Sequence, residues 1–235
     1  MRAVTTASPS APATDAPLTA WTAPALWRYA LDQRLTTPAY LEEHAGGWRE
    51  VSWEETAQRV DALAHGLLAR GVGRGDAVAV LARTRLEWVL LDWAVMTIGA
   101  VVVGIYPTNT AKECAYILGH SEAVLAFTED DAQSEKLAST RAETPALREI
   151  VRFEELQALE AEGRAYAEAH PGAVEAASRD VGEEDLATLI YTSGTTGPPK
   201  GCMLTHKNLV TAAVRVRTNL EDGSDTILLF LPLAH

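Results

Sequence analysis

The sequence predicts an α/β protein whose sheet is mainly parallel and flanked by helices. Short apolar runs, typical of strands, alternate along the chain with longer segments whose apolar residues recur at helical spacing. The clearest case is a strand over 76–81, a helical pattern over 84–98 and a second strand over 101–105. This is the order of a β-α-β unit, which is typical of parallel sheets with helices on their faces.

The individual elements are predicted in chain order. Ser52 and Glu55 fit a capping box, and the helix that they begin is expected to end at Gly71. Thr84 and Glu87 fit a second capping box, ahead of an apolar helix face. The remaining predictions are helices over 111–118 and after 131, and strands over 123–127, near 150, over 186–191 and over 226–231.

Composition narrows the class of protein. Hydrophobic residues make up 47% of the 235 residues, enough for a substantial core, and no apolar run is long enough to span a bilayer. The formal net charge of −12 would repel nucleic acid and anionic lipid, so neither is expected as a partner. The acidic stretch over 129–185 is expected to be solvated surface.

The N-terminal segment and the cysteines indicate a cytoplasmic protein. Residues 1–20 are rich in Ala, Pro, Thr and Ser and lack a hydrophobic signal segment, which predicts a disordered tail ahead of a folded region over 21–235. Cys114 and Cys202 are too few for a disulfide framework and lack metal-ligand spacing. Both are expected to be packing residues, and no metal ligand is assigned in this chain.

The most informative segment is 191–201, Tyr-Thr-Ser-Gly-Thr-Thr-Gly-Pro-Pro-Lys-Gly. Its glycines allow successive N–H groups to approach an anion, its hydroxyls add donors, and Lys200 adds a positive charge. It is not a Walker A loop, because Lys200 follows Pro199 rather than a glycine. A flexible linker is the plain alternative, but a linker would not need the flanking apolar strands. The segment is therefore expected to leave a sheet and bind the phosphates of a nucleotide.

This segment resembles the phosphate-binding motif of the adenylate-forming superfamily, which includes acyl-CoA synthetases, luciferases and peptide-synthetase adenylation domains. Three further stretches, 105–108, 113–121 and the closing Leu-Pro-Leu-Ala-His over 231–235, are most similar to the long-chain fatty acyl-CoA synthetases. The resemblance covers residues 25–235. It implies that residues 21–235 are the N-terminal portion of an AMP-binding synthetase domain whose C-terminal part is absent.

The resemblance also implies a two-step reaction. The carboxylate of a fatty acid would attack the α-phosphate of ATP, and CoA would then convert the acyl adenylate to a thioester. Mg²⁺ and a donor-rich segment would neutralise charge on the leaving phosphates. His235 would lie at the mouth of the acyl pocket, and the Mg²⁺ ligands and catalytic residues are expected beyond it. The residues implied to bind the β and γ phosphates are Thr192, Ser193, Gly194, Thr195, Thr196, Gly197 and Lys200.

The neighbours of this motif carry smaller predictions. Tyr191 is expected to end the strand and pack, and Thr205 to cap the next helix. Lys207 is expected to add positive charge near the motif, and His206 to cap a helix or face solvent. Alone, the chain is expected to be inactive, and to aggregate or depend on the missing portion because of its apolar run near residue 230.

Two other interpretations stay open from the sequence. The chain could be the corresponding part of another adenylate-forming enzyme, one that acts on aryl acids or loads an acyl carrier protein. It could instead be a nucleotide-binding module without turnover. A panel of acid substrates would separate the first from a fatty acid ligase, and ATP binding without pyrophosphate exchange would indicate the second.

Overall fold

The computed structural model describes residues 18–44, 46–192, 199–217 and 226–234. The helices in these ranges are α1 (Ala23–Asp32), α2 (Trp53–Ala69), α3 (Leu86–Thr97), α4 (Ala111–Ser121), α5 (Asp131–Ala138), α6 (Leu156–Ala169), α7 (Ala173–Arg179) and α8 (His206–Arg217). The strands are β1 (Tyr40–His44), β2 (Gly47–Val51), β3 (Ala77–Leu81), β4 (Val101–Ile105), β5 (Leu125–Thr128), β6 (Glu149–Arg152), β7 (Leu186–Thr192) and β8 (Lys200–Thr205). Most of the predicted tail, 1–20, lies outside these ranges.

A six-stranded sheet in the order β6-β5-β3-β4-β7-β8 organises the fold. The pairs from β6 to β7 are all parallel, and only β8 runs antiparallel to its neighbour. The prediction of a mainly parallel α/β sheet is therefore confirmed. Strands β1 and β2 form a separate antiparallel hairpin, which the sequence did not indicate.

Helices cover both faces of the sheet. In β3, Val78 and Val80 point into a core shared with α2, α3 and α6, while Ala79 and Leu81 point into a second core shared with α4 and α5. Every residue of β3 and of β4 is buried. These strands are apolar throughout because neither of their faces meets solvent.

The capping box predicted at Ser52 and Glu55 is half formed, and the prediction of a capping box at Thr84 and Glu87 is wrong. Ser52 caps α2 by accepting a bond of 3.0 Å from the Glu55 amide, and Gly71, with φ +68°, follows the end of that helix. Helix α3 begins at Leu86 after Arg85, without a side-chain cap. Thr84 lies one residue before the N-cap position, and its hydroxyl donates to the Leu231 carbonyl over 2.6 Å.

The acidic stretch is more than solvated surface, which corrects the expectation for 129–185. Helix α6 packs closely on α2, and Leu156 and Leu159 join the core. Glu160 is only 7% exposed and accepts a bond of 3.0 Å from Arg59 of α2. The stretch is polar in composition because its apolar residues form only a narrow stripe. Such a stripe is enough for a helix that buries one side.

No strand forms over 226–231, which corrects that prediction. Residues 226–231 pair with neither edge of the sheet, and the side chains of Ile227 to Leu231 are between 50% and 72% exposed. Leu231 is held by the Thr84 bond, and Ala234 is buried against Gly104. Apolar character alone does not make a strand when no neighbouring backbone completes its hydrogen bonds.

The two cysteines differ in environment. Cys114 is fully buried in α4, as predicted, and burial raises its pKa to about 11. Cys202 is exposed on β8, so the expectation that it packs in the interior is wrong; β8 is an edge strand with solvent beside it. Over the described residues, no helix is both long enough and apolar enough to cross a membrane.

Candidate functional site

The hairpin of β7 and β8 carries the predicted phosphate-binding segment. Thr192, at the end of β7, is the register partner of Lys200, at the start of β8, and both residues are exposed. Residues 193–199 connect these two positions. The other predicted phosphate-binding residues, Ser193, Gly194, Thr195, Thr196 and Gly197, lie outside the described residues, as does His235.

The segment leaves the sheet at its carboxyl edge. Strand β7 is parallel to β4, so the carboxyl ends of β3, β4, β5 and β7 share one edge. Ligands of α/β proteins usually bind at that edge. Within the described ranges no carboxylate pairs with Lys200, whereas Lys136 is held by the Pro107 and Asn109 carbonyls at 2.8 and 2.9 Å. Lys200 is therefore an exposed lysine at the carboxyl edge of the sheet, without a carboxylate partner among the described residues.

Tyr191 anchors the end of β7. Its side chain is buried and its hydroxyl lies 2.7 Å from Nδ1 of His120, on α4. Its ring also covers Gly201, where an added Cβ would lie 3.2 Å from the ring. Burial raises the pKa of Tyr191, and the nearby Tyr116 adds to that shift. The prediction that Tyr191 packs is confirmed, whereas the strand ends one residue later than predicted, at Thr192.

Sequence reasoning missed His120 and Tyr116. The two rings stack on α4 with centroids 5.5 Å apart, and the edge of Tyr191 faces both. Four residues separate Tyr116 from His120, which is the spacing that brings side chains together on a helix. That spacing could have indicated the pair, but the contact with β7, 71 residues from His120, has no local signal.

The charge predicted for Lys207 lies at the wrong end of the hairpin. Thr205 is paired with Leu186, so the start of α8 is at the opposite end of β7 from Lys200. Lys207 Nζ lies 3.1 Å from a carboxylate oxygen of Glu184, which raises the pKa of Lys207. The prediction that Lys207 contributes charge near the motif is therefore wrong, because the whole length of β8 separates Lys207 from the turn and Lys207 is already paired.

The predictions for the two residues at the start of α8 have different outcomes. The Thr205 hydroxyl accepts a bond of 3.3 Å from the Asn208 amide, which confirms it as the cap. His206 does cap a helix, but it is α1 and not its own: His206 Nδ1 accepts a bond of 3.2 Å from the Ala23 amide. The alternative that His206 faces solvent is wrong, since it is fully buried. Burial lowers the pKa of His206.

A cavity of about 170 Å³ lies beside the hairpin, between α3, β4, β7 and α8. Its walls are mostly apolar, but they include Asp92, whose Oδ1 is sealed from solvent and has no partner among the described residues. Burial raises the pKa of Asp92 to about 8. Leu233 and Ala234 also line the cavity, next to the predicted pocket residue His235. Sequence reasoning missed Asp92, although a lone carboxylate among Leu90, Leu91 and Val95 is a usable signal.

Known proteins resemble this chain in sequence and in fold. The family model described as AMP-binding enzyme matches residues 27–235. Among curated relatives, the long-chain-fatty-acid-CoA ligase FadD15 of Mycobacterium bovis is 41% identical over 196 residues, which cover 81% of this chain and 32% of the relative. The chain thus spans about a third of the length of the curated relatives it matches.

Solved structures give the same fold. ATP-bound MatB from Rhodopseudomonas palustris has a TM-score of 0.71 and 27% identity, over 91% of this chain and 41% of that one. The N-terminal domain of FACL13 from Mycobacterium tuberculosis has a TM-score of 0.73 and 24% identity, over 91% of this chain and 52% of that one. At that identity, the second likeness concerns the fold alone.

Proposed function

Because this chain belongs to the AMP-binding enzyme family, we propose that it supplies the phosphate-binding part of a fatty acid-CoA ligase. The whole enzyme would activate a long-chain carboxylic acid with ATP and pass the acyl group from the adenylate to CoA. One observation carries the proposal: Thr192 and Lys200 face each other across a hairpin at the carboxyl edge of a parallel sheet. The names of the curated relatives support the fatty acid as the substrate class.

The role proposed for the hairpin is to bind and orient the leaving phosphates. In the first step the acid's carboxylate oxygen bonds to the α-phosphorus, and the bond to the bridging oxygen breaks as pyrophosphate leaves. Negative charge then grows on the pyrophosphate, and donors fixed in advance lower the energy of that state. Lys200 Nζ and the Thr192 hydroxyl are the described donors, and Ser193, Gly194, Thr195, Thr196 and Gly197 complete the proposed set.

Mg²⁺ is expected with ATP, but the described residues do not fit a metal site of their own. Across the described ranges, no three His, Cys, Asp or Glu side chains come together to hold an ion. The hydroxyl of Thr192 is an oxygen donor of the type that Mg²⁺ accepts, yet one hydroxyl is too few. We therefore assign the metal no step in this chain.

We further propose that a C-terminal portion completes the enzyme. The chain spans about a third of the length of its curated relatives, which supports this. A second support is the exposure of Ile227 to Leu231, since large contiguous apolar surface usually marks a contact. His235 would then line the acyl pocket, beside the cavity that Leu233 and Ala234 border. The proposed partners are small molecules, namely the fatty acid, ATP and CoA, and the proposed location is the cytoplasm.

Pyrophosphate exchange into ATP, driven by added acids in the native-length protein, tests the function. Exchange with long-chain fatty acids is expected, followed by thioester formation when CoA is added. Exchange only with aryl acids, or transfer only to a carrier protein, would identify a different adenylate-forming enzyme. Saturable ATP binding without any exchange would mean a nucleotide-binding module.

Lys200→Ala tests the site itself. Loss of a charged contact to phosphate is expected to weaken ATP binding by about 10- to 100-fold. Lys207→Ala is the matched control, because that lysine is exposed at the opposite end of the hairpin. Equal ATP affinity in Lys200→Ala and the control would refute the assignment of the hairpin.

A further inference from the structure

We infer that His120 is a positioning residue for the phosphate-binding segment, acting through the hydroxyl of Tyr191. This inference rests on the proposed function of the hairpin and adds a residue to it. Tyr191 directly precedes Thr192, so the point at which the segment leaves the sheet follows the position of the Tyr191 backbone. The bond between Tyr191 and His120 joins that point to α4 over 2.7 Å.

The sheet supports this end of β7 on one side only. Pairing between β4 and β7 covers 102–104 and 188–190 and stops at Ile190. Tyr191 and Thr192 therefore extend beyond the last residue that β4 supports, and their only strand neighbour in the described sheet is β8. Strand β8 is an edge strand whose residues are half-buried or exposed. On the side away from β8, this end of the hairpin is therefore held by side-chain contacts rather than by strand pairing.

Tyr191 provides that contact from a confined position. Its ring lies between Gly201, its cross-strand partner, and the edge-on ring of Tyr116 at 6.5 Å. A larger residue at 201 would occupy the space of the ring, so glycine there lets the side chain lie flat against β8. The ring then directs its hydroxyl towards α4, where it meets His120 and also interacts with Ser121.

Helix α4 is a rigid support for this bond. It begins with a complete capping box, in which Thr110 and Glu113 exchange bonds of 2.7 and 3.3 Å. Cys114, Ile117 and Leu118 then bury its inner face against the sheet. His120 lies in the last turn, stacked on Tyr116 one turn earlier. A bond to His120 thus ties the hairpin to the core rather than to a mobile side chain.

The experiment compares ATP binding and stability in the native-length protein. Tyr191→Phe removes only the hydroxyl, and His120→Ala removes its partner. Each is expected to raise the Kd and the KM for ATP about fivefold, with kcat and the KM for the acid within twofold of the wild type. The double variant is expected to be no weaker than either single variant, because both remove the same bond.

Two further variants separate positioning from packing. His120→Asn keeps a polar atom near the place of Nδ1 and is expected to restore ATP affinity to within twofold of the wild type. His170→Ala is the matched control, because His170 also stacks on a tyrosine one turn earlier, Tyr166 on α6, away from β7. It is expected to leave ATP affinity unchanged while removing a similar aromatic pair.

The results distinguish this inference from the proposed function. Wild-type ATP affinity in His120→Ala and Tyr191→Phe, with weak binding in Lys200→Ala, would overturn the role of His120 and leave the phosphate site intact. Wild-type affinity in Lys200→Ala would instead overturn the phosphate-binding role proposed for the hairpin, on which this inference rests. Equal loss of affinity for ATP and for the acid, together with a lowered Tm, would show that His120 serves only the fold and would also overturn the inference.

Discussion

Gly163 of α6 lies directly against Gly66 of α2, so closely that a Cβ on Gly163 would be 2.6 Å from the Gly66 nitrogen and would overlap the Ala62 carbonyl oxygen. A Cβ on Gly66 would in turn lie 2.6 Å from the Leu159 carbonyl oxygen. The two helices can therefore cross in backbone contact only because both positions lack a side chain.

Gly163→Ala is predicted to destabilise the fold. The new methyl group would force α6 away from α2, and overpacking of this kind costs about 3 kcal/mol, more than the gain in helix propensity from alanine. Urea unfolding monitored by circular dichroism measures the change. Gly73→Ala is the control, because a Cβ there meets no atom within 4 Å. A stability of Gly163→Ala equal to that of the control would mean that the two helices do not cross as described.

Asp92 is predicted to make the fold less stable as the pH rises. Burial raises its pKa from 3.8 to about 8, so between these values the unfolded chain is ionised while the folded chain keeps the proton. The free energy of unfolding then falls with rising pH, by at most about 1.4 kcal/mol per unit from this group. The contribution is fully present below pH 4 and lost by pH 8.

Asp92→Asn is expected to flatten this pH dependence between pH 5 and pH 8 and to be the more stable protein at pH 8. Urea midpoints at four pH values across that range measure it. Asp32→Asn, at an exposed position, is the control and is expected to follow the wild type. The same slope in Asp92→Asn and wild type would show that Asp92 is ionised in the fold.

His206 is predicted to have the opposite pH dependence. Burial lowers its pKa below the ordinary 6.5, so the unfolded chain takes up a proton first as the pH falls. Stability from this residue is fully present above pH 6.5 and is lost as the pH falls from there through the lower pKa of the folded chain. His206→Ala also leaves the Ala23 amide without its partner and is expected to cost about 1–2 kcal/mol. Exposed His44→Ala is the control, and a wild-type slope in His206→Ala would contradict the prediction.

The exposed apolar run is predicted to cause self-association of the 235-residue chain. Leu228 and Phe230 are 68% and 72% exposed, in a run of five large apolar residues. The paired substitutions Leu228→Asp and Phe230→Asp are expected to lower the sedimentation coefficient at high concentration and to leave Tm within about 2 °C, because they touch no core contact. A clean wild-type monomer with a sharp, concentration-independent transition would refute this prediction.

The parallel sheet could be predicted from the sequence because its central strands are buried on both faces, and each of these is therefore visible as a local apolar run. Strands β3 and β4 are of this kind. The sequence could not predict the helix crossing at Gly66 and Gly163, since a glycine inside a helical pattern indicates only a lower helix propensity. The strand predicted over 226–231 was wrong for a related reason: apolar character does not indicate which neighbouring strand would pair with the segment.

The residues of the candidate site also differ in how far the sequence could predict them. Thr192 and Lys200 belong to one continuous motif, so their pairing across the hairpin follows from the chain itself. The bond from Tyr191 to His120 joins residues far apart in sequence, and only the folded sheet brings them together. Asp92 is the intermediate case, because its place on an apolar helix face was visible but the cavity beside it was not.

The bond from the Ala23 amide to His206 makes one backbone proton a reporter on a distant part of the fold. That proton can exchange with deuterium from the solvent only when the first turn of α1 separates from the start of α8. Its exchange rate therefore measures how often the N-terminal helix undocks from the strand and helix that follow the phosphate segment. If ATP steadies the hairpin, the protection of this single amide, 183 residues earlier in the chain than its partner, should rise with nucleotide concentration.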